Sequence, residues 1–333
     1  MPVGGTCGGA PVVTRFRALV TGCAGFIGSH LSERLLSDGW QVVGVDALTD
    51  YYSRRIKRRN LRSLLSHRRF AFHRADLNRM DLDRVLRSID IVFHQAAQPG
   101  VRASWGTTFH IYTDCNLLAT QRLLEAVRGR RSILKFVFAS SSSVYGNVRQ
   151  LPMRETQRCE PYSPYGVTKL GAENLCQLYH ANYGVPAVSL RYFTVYGPRQ
   201  RPDMAFHKFI AAALEGKPIR IYGTGRQSRD FTFVSDIVSA NVAAAIGGQC
   251  GGIYNLGGGT RVILRDALRI LERQLGRPIR LVFEEHARGD VDRTGADTSR
   301  ARRDLLFRPK TNLAEGLAAQ IAWHRQMRAE GVL

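Results

Sequence analysis

Val20-Thr21-Gly22-Cys23-Ala24-Gly25-Phe26-Ile27-Gly28-Ser29-His30 stands between a short apolar run, Ala18 to Val20, and an amphipathic stretch, Ile27 to Leu36. In that order of strand, glycine turn and helix, the glycines permit a tight turn, close approach of backbone to a pyrophosphate and close packing of helix on strand. The helix N-terminus then faces the phosphates. The next strand, Val42 to Val45, ends in Asp46, 18 residues beyond Gly28, where an acid accepts hydrogen bonds from an adenosine ribose. An acid there would repel a 2′-phosphate, so the pattern reads as an NAD site rather than an NADP site, even though Arg54, Arg55 and Lys57 follow closely. A structural glycine turn with a solvated Asp fits less well, because both features fall at strand ends.

Outward from this turn, short apolar runs alternate with amphipathic stretches. Val42 to Val45 precedes Leu61 to Leu65, Phe70 to His73 precedes Leu82 to Ile89, and Ile91 to His94 precedes Phe109 to Val127. Ile133 to Ala139 and Ala187 to Leu190, separated by a helix from Tyr165 to Tyr183, continue the series. Such alternation predicts an α/β chain with a Rossmann doubly wound parallel sheet. After Gly197 the pattern gives way to elements punctuated by Pro and Gly, with helices near Met204 to Leu214, Ser235 to Ile246, Leu264 to Gln274 and Leu313 to Gln326. Three regions are expected: a flexible N-terminal extension over 1–16, a nucleotide-binding domain over 17–196 and, over 197–333, mainly a smaller C-terminal substrate-binding lobe.

The 333 residues are 44% hydrophobic and 23% charged, which excludes a disordered or collagen-like chain. No run reaches the roughly 18 apolar residues of a membrane span, and the start lacks the apolar stretch of a secretory signal. Six widely spaced cysteines without a CxxC pair disfavour a zinc site or a disulfide framework and suit a reducing cytoplasm. Lys and Arg number 48 against 27 Asp and Glu, a net charge of +21, with only six Lys. That surplus suits an acidic partner. The arginines nevertheless run along the whole length without any nucleic-acid-binding pattern, so a solvated surface and a phosphate-rich small ligand fit better than RNA or DNA.

Tyr165-Gly166-Val167-Thr168-Lys169 opens a helix, and Ser140-Ser141-Ser142-Ser143-Val144-Tyr145-Gly146 follows a strand. Residues four apart share a helix face, so Lys169 stands beside Tyr165. A free phenol titrates near ~10, and bringing it to about 7 takes roughly 4 kcal/mol of preferential phenolate stabilisation. Lys169 and an oxidised nicotinamide, both cationic, supply charge of the right sign. A YxxxK pair alone is common in amphipathic helices. The turn, the acid, the serines and this pair, in order on the expected elements, are not.

The chain resembles the extended short-chain dehydrogenase/reductase family, specifically its nucleotide-sugar epimerases and dehydratases, from about Arg17 to the final helix. The resemblance implies that Gly22, Gly25, Phe26, Ile27 and Gly28 hold NAD, that Asp46 binds the adenosine ribose, and that Asp76, followed by Leu77, contacts the adenine. It makes Tyr165 the catalytic base, Lys169 its activator and Ser141 the hydroxyl sharing the proton relay. His94-Gln95-Ala96-Ala97-Gln98 is similar to the segment that lines the cofactor, with Ala96, Ala97 and Gln98 in contact. Arg191 to Pro198 and Gly223 to Phe231 resemble substrate-lobe motifs, with Arg229 on the pyrophosphate. Arg288 is the remaining candidate for the diphosphate, although Ala287 fills the place where many relatives carry Arg.

Ser142 and Ser143 stand where 4,6-dehydratases carry an Asp-Glu pair, and UDP-glucuronate decarboxylases usually place Glu at Ser143. Arg199-Gln200-Arg201-Pro202-Asp203-Met204-Ala205 is similar to the segment of UDP-glucuronate 4-epimerases, and Thr194 replaces the Asn common in neutral-sugar epimerases. An arginine fork with hydroxyl donors is what a sugar carboxylate needs. Ser142, Ser143, Thr194, Arg201, Arg229 and Arg288 are therefore the expected substrate contacts. The expected reaction is reversible 4-epimerisation of UDP-glucuronate to UDP-galacturonate by a cytoplasmic homodimer with no metal, no nucleic-acid partner and no membrane insertion. A 4-epimerase of neutral UDP-sugars, a UDP-glucuronate decarboxylase and a non-catalytic nucleotide-binding protein remain alternatives.

Overall fold

The computed structural model describes residues 16–285 and 289–333. Its first half alternates strands and helices: β1 (Arg17–Thr21), α1 (Phe26–Ser37), β2 (Gln41–Asp46), α2 (Arg54–Leu65), β3 (Phe70–Arg74), α3 (Leu82–Leu86), β4 (Ile91–His94), α4 (Phe109–Tyr112), α5 (Ala119–Val127), β5 (Lys135–Ser141), α6 (Pro164–Tyr183) and β6 (Ala187–Tyr192). There follow β7 (Thr194–Tyr196), α7 (Ala205–Leu214), β8 (Ile219–Tyr222), β9 (Ser228–Phe233), α8 (Val234–Gly247), β10 (Ile253–Leu256), β11 (Arg261–Ile263), α9 (Leu264–Leu275), β12 (Leu281–Glu284), α10 (Ser299–Leu305) and α11 (Leu313–Ala329).

Among the described residues, seven strands form one parallel sheet in the order β3-β2-β1-β4-β5-β6-β10. Its inner strands are apolar on both faces, as strands covered by helices on both sides must be. Ala18 and Val20 point into a core shared with Leu31 and Leu35 of α1 and Ile237 and Val238 of α8. Leu19, between them, points the other way, toward Leu123 and Leu124 of α5 and Ala172 and Cys176 of α6. The strand order reverses between β1 and β4, and a crevice opens at the carboxyl ends of the strands on either side of that point.

The smaller lobe has its own core of Phe206, Ile210, Ile221, Phe231, Leu268 and Leu317, and sheets ordered β11-β9-β7 and β12-β8. Sequence periodicity assigned everything past Gly197 mainly to this lobe. The chain instead crosses back, because α8 and β10 complete the large sheet and its helical cover. Helix α2 begins at Arg54, seven residues before the expected start. Ser53 caps it by accepting the Arg55 N–H, and Ile56, Lys57 and Asn60 are buried. Its outward arginines hide that face from a simple apolar count. The expected single helix from Phe109 to Val127 contains a π-helical stretch, Thr113–Leu118. Phe16 packs on Trp40 with ring centroids 4.9 Å apart, and residues 1–15 of the expected extension lie outside the described residues. No helix among the described residues is long and apolar enough to cross a membrane, and Cys23, Cys115, Cys159, Cys176 and Cys250 are unpaired thiols.

One buried ion pair fastens α6 to the sheet. Arg191 on β6 grips Glu173 on α6 at 2.6 Å, their side chains only 4% and 1% exposed. The second Glu173 oxygen accepts from the Ser140 hydroxyl of β5 at 2.6 Å. Arg191 also lies 4.7 Å over the Tyr145 ring, whose hydroxyl donates to Asn255 of β10 at 2.7 Å. Replacing such a pair with matched apolar groups is often neutral, whereas removing one member strands a buried charge. Glu173→Ala is therefore expected to lower unfolding stability by about 3 to 5 kcal/mol in urea denaturation; a loss below about 1 kcal/mol would mean that solvent reaches and screens Arg191.

Candidate functional site

A cleft of about 1190 Å³ runs along the carboxyl ends of the large sheet and continues beneath the smaller lobe. At its floor Gly22 has a φ of +72°, and a Cβ there would stand 2.8 Å from the Ala96 nitrogen. A Cβ on Gly28 would stand 2.2 Å from the Gly22 carbonyl oxygen. The turn can therefore pack only as glycine, and Gly25, at the N-cap of α1, presents no side-chain cap to the helix N–H groups behind it. Those free donors at a positive helix end suit a diphosphate. Gly25, Phe26, Ile27 and Gly28 all line the cleft.

Asp46 faces the same space. Its two oxygens accept the backbone N–H of Ala24 at 3.0 Å and of Leu48 at 2.8 Å, leaving lone pairs for ribose hydroxyls. Burial pushes its pKa up, and those bonds and the Lys57 charge oppose the push. The basic residues that follow are engaged elsewhere. Lys57 donates to the Thr49 carbonyl at 2.7 Å, Arg54 to the Leu48 carbonyl at 2.9 Å and Arg55 to the Gly331 carbonyl at 2.5 Å. Asp76 and Leu77 line the far end of the cleft, Asp76 exposed and Leu77 buried.

His94, expected beside the cofactor segment, is itself buried beneath it. Thr120 donates to the Asn116 carbonyl at 2.6 Å, so its oxygen accepts from His94 Nε2 at 2.9 Å. His94 Nδ1 then accepts from the Thr21 hydroxyl at 2.8 Å, and Thr21 accepts the Ala96 N–H at 3.1 Å. Burial brings the His94 pKa down to about 3 and keeps the ring neutral, as this chain of donors requires. Asn116 clamps the Gln98 backbone from both sides, at 2.7 and 3.0 Å. Ala96, Ala97 and Gln98 are thereby fixed along the cleft wall.

Tyr165, Lys169, Ser141, Ser142 and Ser143 all line the cleft. Ser163 caps α6, accepting the Gly166 N–H at 3.1 Å, and Pro164 starts the helix. Burial raises the Tyr165 pKa, opposed first by the Arg201 charge and then by a hydrogen bond with Ser141. Lys169 stands 4.3 Å over the Phe138 ring, and burial brings its pKa down to about 8.

Thr194 and Arg201 enter from the lobe side. The segment before Arg201 is tightly held. His30 bonds the Pro198 carbonyl at 3.0 Å, and Arg199, at a left-handed φ of 64°, reaches Glu33 of α1 at 2.8 Å. Gln200 is buried, accepting the His207 N–H and the Gln320 amide and donating to the Val195 carbonyl. Arg201 itself forms a bidentate pair with Asp203, at 3.0 and 3.1 Å.

Two diphosphate ligands are expected from the sequence, Arg229 and Arg288. Arg288 lies outside the described residues. Arg229 does not line the cleft; it donates to the Ser228 and Asp292 carbonyls at 3.0 and 3.2 Å. Arg102 does line it, paired to Asp290 at 2.6 Å and stacked 4.1 Å over Tyr222. A basic residue four positions after Gln98, just past the cofactor segment, was the available signal for it. Tyr51, Tyr52 and Asp203 also line the cleft without having been assigned a role from sequence. No group of three or more His, Cys, Asp or Glu able to hold a metal occurs among the described residues.

The family model for the NAD dependent epimerase/dehydratase family matches residues 18–257. A crystal structure of UDP-glucuronic acid 4-epimerase from Bacillus cereus, in complex with UDP-glucuronic acid and NAD, superposes with a TM-score of 0.91 at 43% identity, covering 93% of this chain and 99% of that one. A Bacillus subtilis (strain 168) protein described as an uncharacterized UDP-glucose epimerase is 46% identical over 310 residues, 92% of this chain and 97% of its own length. A UDP-glucuronate 4-epimerase of Thermodesulfobacterium geofontis (strain OPF15) is 39% identical over 315 residues, 92% of this chain and 96% of its own. The glycine turn, the acid at the end of β2 and this extent of similarity together make the chain a member of the NAD dependent epimerase/dehydratase family.

Proposed function

We propose that this enzyme catalyses the reversible, NAD-dependent 4-epimerisation of UDP-glucuronate to UDP-galacturonate. The observation that carries the choice of substrate is Arg201, a guanidinium held in the cleft close enough to Tyr165 to act on its phenol. Bound along the glycine turn, NAD accepts hydride from C4 of the sugar and returns it to the opposite face of a 4-keto sugar, ending unchanged. Tyr165 takes the proton of the 4-hydroxyl, with Ser141 sharing the hydrogen bond. Lys169, still largely cationic near neutrality, stabilises the phenolate from one helical turn away. Asp46 takes the adenosine ribose, Asp76 the adenine edge, and Arg102 the sugar diphosphate.

The 4-keto sugar of a uronate is a β-keto acid. If its C5–C6 bond lines up with the carbonyl π system, that bond breaks, carbon dioxide leaves, and the electron pair forms an enolate that takes a proton to give a UDP-4-keto-pentose. Arg201, Thr194, Ser142 and Ser143 hold the carboxylate out of that alignment. The serines also leave the site without the acid pair that dehydration needs. A 4-epimerase of neutral UDP-sugars is the second reading, favoured by the neutralising pair that Asp203 forms with Arg201.

Incubation with UDP-glucuronate and no added cofactor is expected to yield UDP-galacturonate by NMR, on dinucleotide that stays with the purified protein. Tyr165→Phe keeps the packing and removes the proton acceptor, so turnover should fall by about 10² to 10⁴ with dinucleotide retained; activity near the parent level would reject the assignment. Arg201→Ala removes a charge-assisted hydrogen bond of about 1.5 to 3 kcal/mol, a loss of roughly 10- to 100-fold in kcat/KM for UDP-glucuronate. UDP-glucose should lose much less, and carbon dioxide release should rise. Equal losses on both substrates would move Arg201 to a scaffold role.

We further infer a homodimer through the paired long helices. Val167 and Leu178, both more than half exposed, fall on one stripe of α6, and Leu118 beside them is 46% exposed. Light scattering should give twice the chain mass, and Val167→Asp with Leu178→Asp should halve it. A parent that scatters as a monomer rules the dimer out.

A further inference from the structure

Asp203 lies two residues from Arg201, and its carboxylate engages only Nε and Nη2 of that guanidinium, at 3.0 and 3.1 Å. A guanidinium has two usable edges, each with parallel N–H groups. The edge carrying Nη1 therefore remains for a second carboxylate, and Arg201 can hold Asp203 and a sugar carboxylate at once. Both side chains are partly shielded, 22% and 31% exposed, so the pair is better defined than an open surface bridge.

The support behind the pair is itself built in. Tyr51 stands beside Asp203, near enough that the carboxylate raises the pKa of the phenol and the phenol lowers that of the carboxylate. The Tyr51 hydroxyl fits only because residue 100 is glycine, at a φ of +108°, where a Cβ would come within 2.3 Å of it. Tyr112, whose hydroxyl donates to the Gly100 carbonyl at 2.9 Å, holds the same loop and stacks edge-on to Tyr165 with centroids 6.3 Å apart. Gly100, Tyr51, Asp203 and Arg201 thus form one line of contacts ending beside the catalytic phenol.

We propose that Asp203 is a positioning residue that grips one edge of Arg201 so that the other edge faces the carboxylate of the substrate. This rests on the reading of the enzyme as a uronate epimerase. The same geometry gives Asp203 a second effect. The charged and titratable groups acting on Tyr165 are Arg201 and Asp203 from the lobe segment and Tyr112 from α4, and Lys169 follows four residues on along its own helix. Arg201 favours the phenolate and Asp203 opposes it. Removing the Asp203 charge lowers the Tyr165 pKa, so the acidic limb of kcat moves to lower pH.

Asp203→Asn keeps the size and one acceptor while removing the charge. On UDP-glucuronate, kcat is expected to fall about tenfold, as loss of aim at a reacting centre does. KM should hold, because the charge that attracts the carboxylate remains. On UDP-glucose kcat should fall by a smaller factor, and the acidic limb should shift down on both. Tyr51→Phe, which removes only the hydroxyl, should move kcat the same way by less. If Asp203 instead competes with the substrate for Arg201, KM for UDP-glucuronate drops and kcat holds; that result overturns the proposal, as do equal losses on both substrates with an unmoved pH limb. A parent without preference for UDP-glucuronate overturns the functional reading and this inference with it, whereas a parent that prefers it beside an unaltered Asp203→Asn overturns this inference alone.

Discussion

Catalysis in this fold depends on where one helix sits, and a single buried ion pair decides that. Helix α6 carries Tyr165 and Lys169 four residues apart, and Glu173 follows at the next such spacing on the same face. Because Glu173 is bound to Arg191 of β6 and to Ser140 of β5, the face bearing Tyr165 and Lys169 cannot rotate or slide without stranding a charge in the core. Ser140 immediately precedes Ser141, so the same contact sets the register between Ser141 and Tyr165. The pair adds little net stability compared with a well-packed apolar substitute. Its value lies in the cost of every other arrangement.

The lobe side of the cleft is fixed by a different means. The segment Pro198 to Arg201 touches the nucleotide-binding sheet through α1, by way of His30 and Glu33, and touches the lobe through Gln200, His207 and Gln320. Arg199 sits in backbone space that costs a non-glycine residue of order 1 kcal/mol. Hydrogen bonds on both flanks maintain it. The residue after these anchors is Arg201, so its guanidinium is placed relative to both halves of the cleft.

Much of this was legible in the sequence because the nucleotide half is written locally. The glycines at 22, 25 and 28, the acid at 46 and the Tyr165–Lys169 pair each lie within one turn or one strand end, where spacing translates directly into geometry. What sequence left unread depends on contacts far apart in the chain. The return of α8 and β10 to the large sheet is decided by packing against α1 and β6, and a strand of four residues has too short a period to announce its partner. Tyr51 and Asp203, 152 positions apart, carry no mutual signal at all. His94 is a related case. Its segment is expected to line the cofactor, yet alternation along β4 turns the histidine itself inward, where it holds the Thr21 hydroxyl that in turn fixes Ala96.

The arginine surplus also changes meaning once the fold is known. From composition, 42 arginines against few lysines read as a solvated surface or an attraction for phosphate. Several instead donate a further hydrogen bond to carbonyls near helix C-termini, most of which also accept a backbone N–H. Arg69 donates to the Leu36 carbonyl at the end of α1, Arg277 to the Ala213 carbonyl and Arg328 to the Ala211 carbonyl near the end of α7, and Arg130 to the Ala126 carbonyl near the end of α5. Others tie distant segments: Arg59 of α2 holds Glu330 beyond α11 through two bonds of 2.5 and 2.9 Å. A guanidinium serves these places better than an ammonium because its planar fork reaches two acceptors in fixed directions and its charge favours the negative end of a helix. Part of the +21 charge is therefore consumed by the fold itself, and among the cations facing the cleft Arg102 and Arg201 are each paired with a carboxylate that sets their direction.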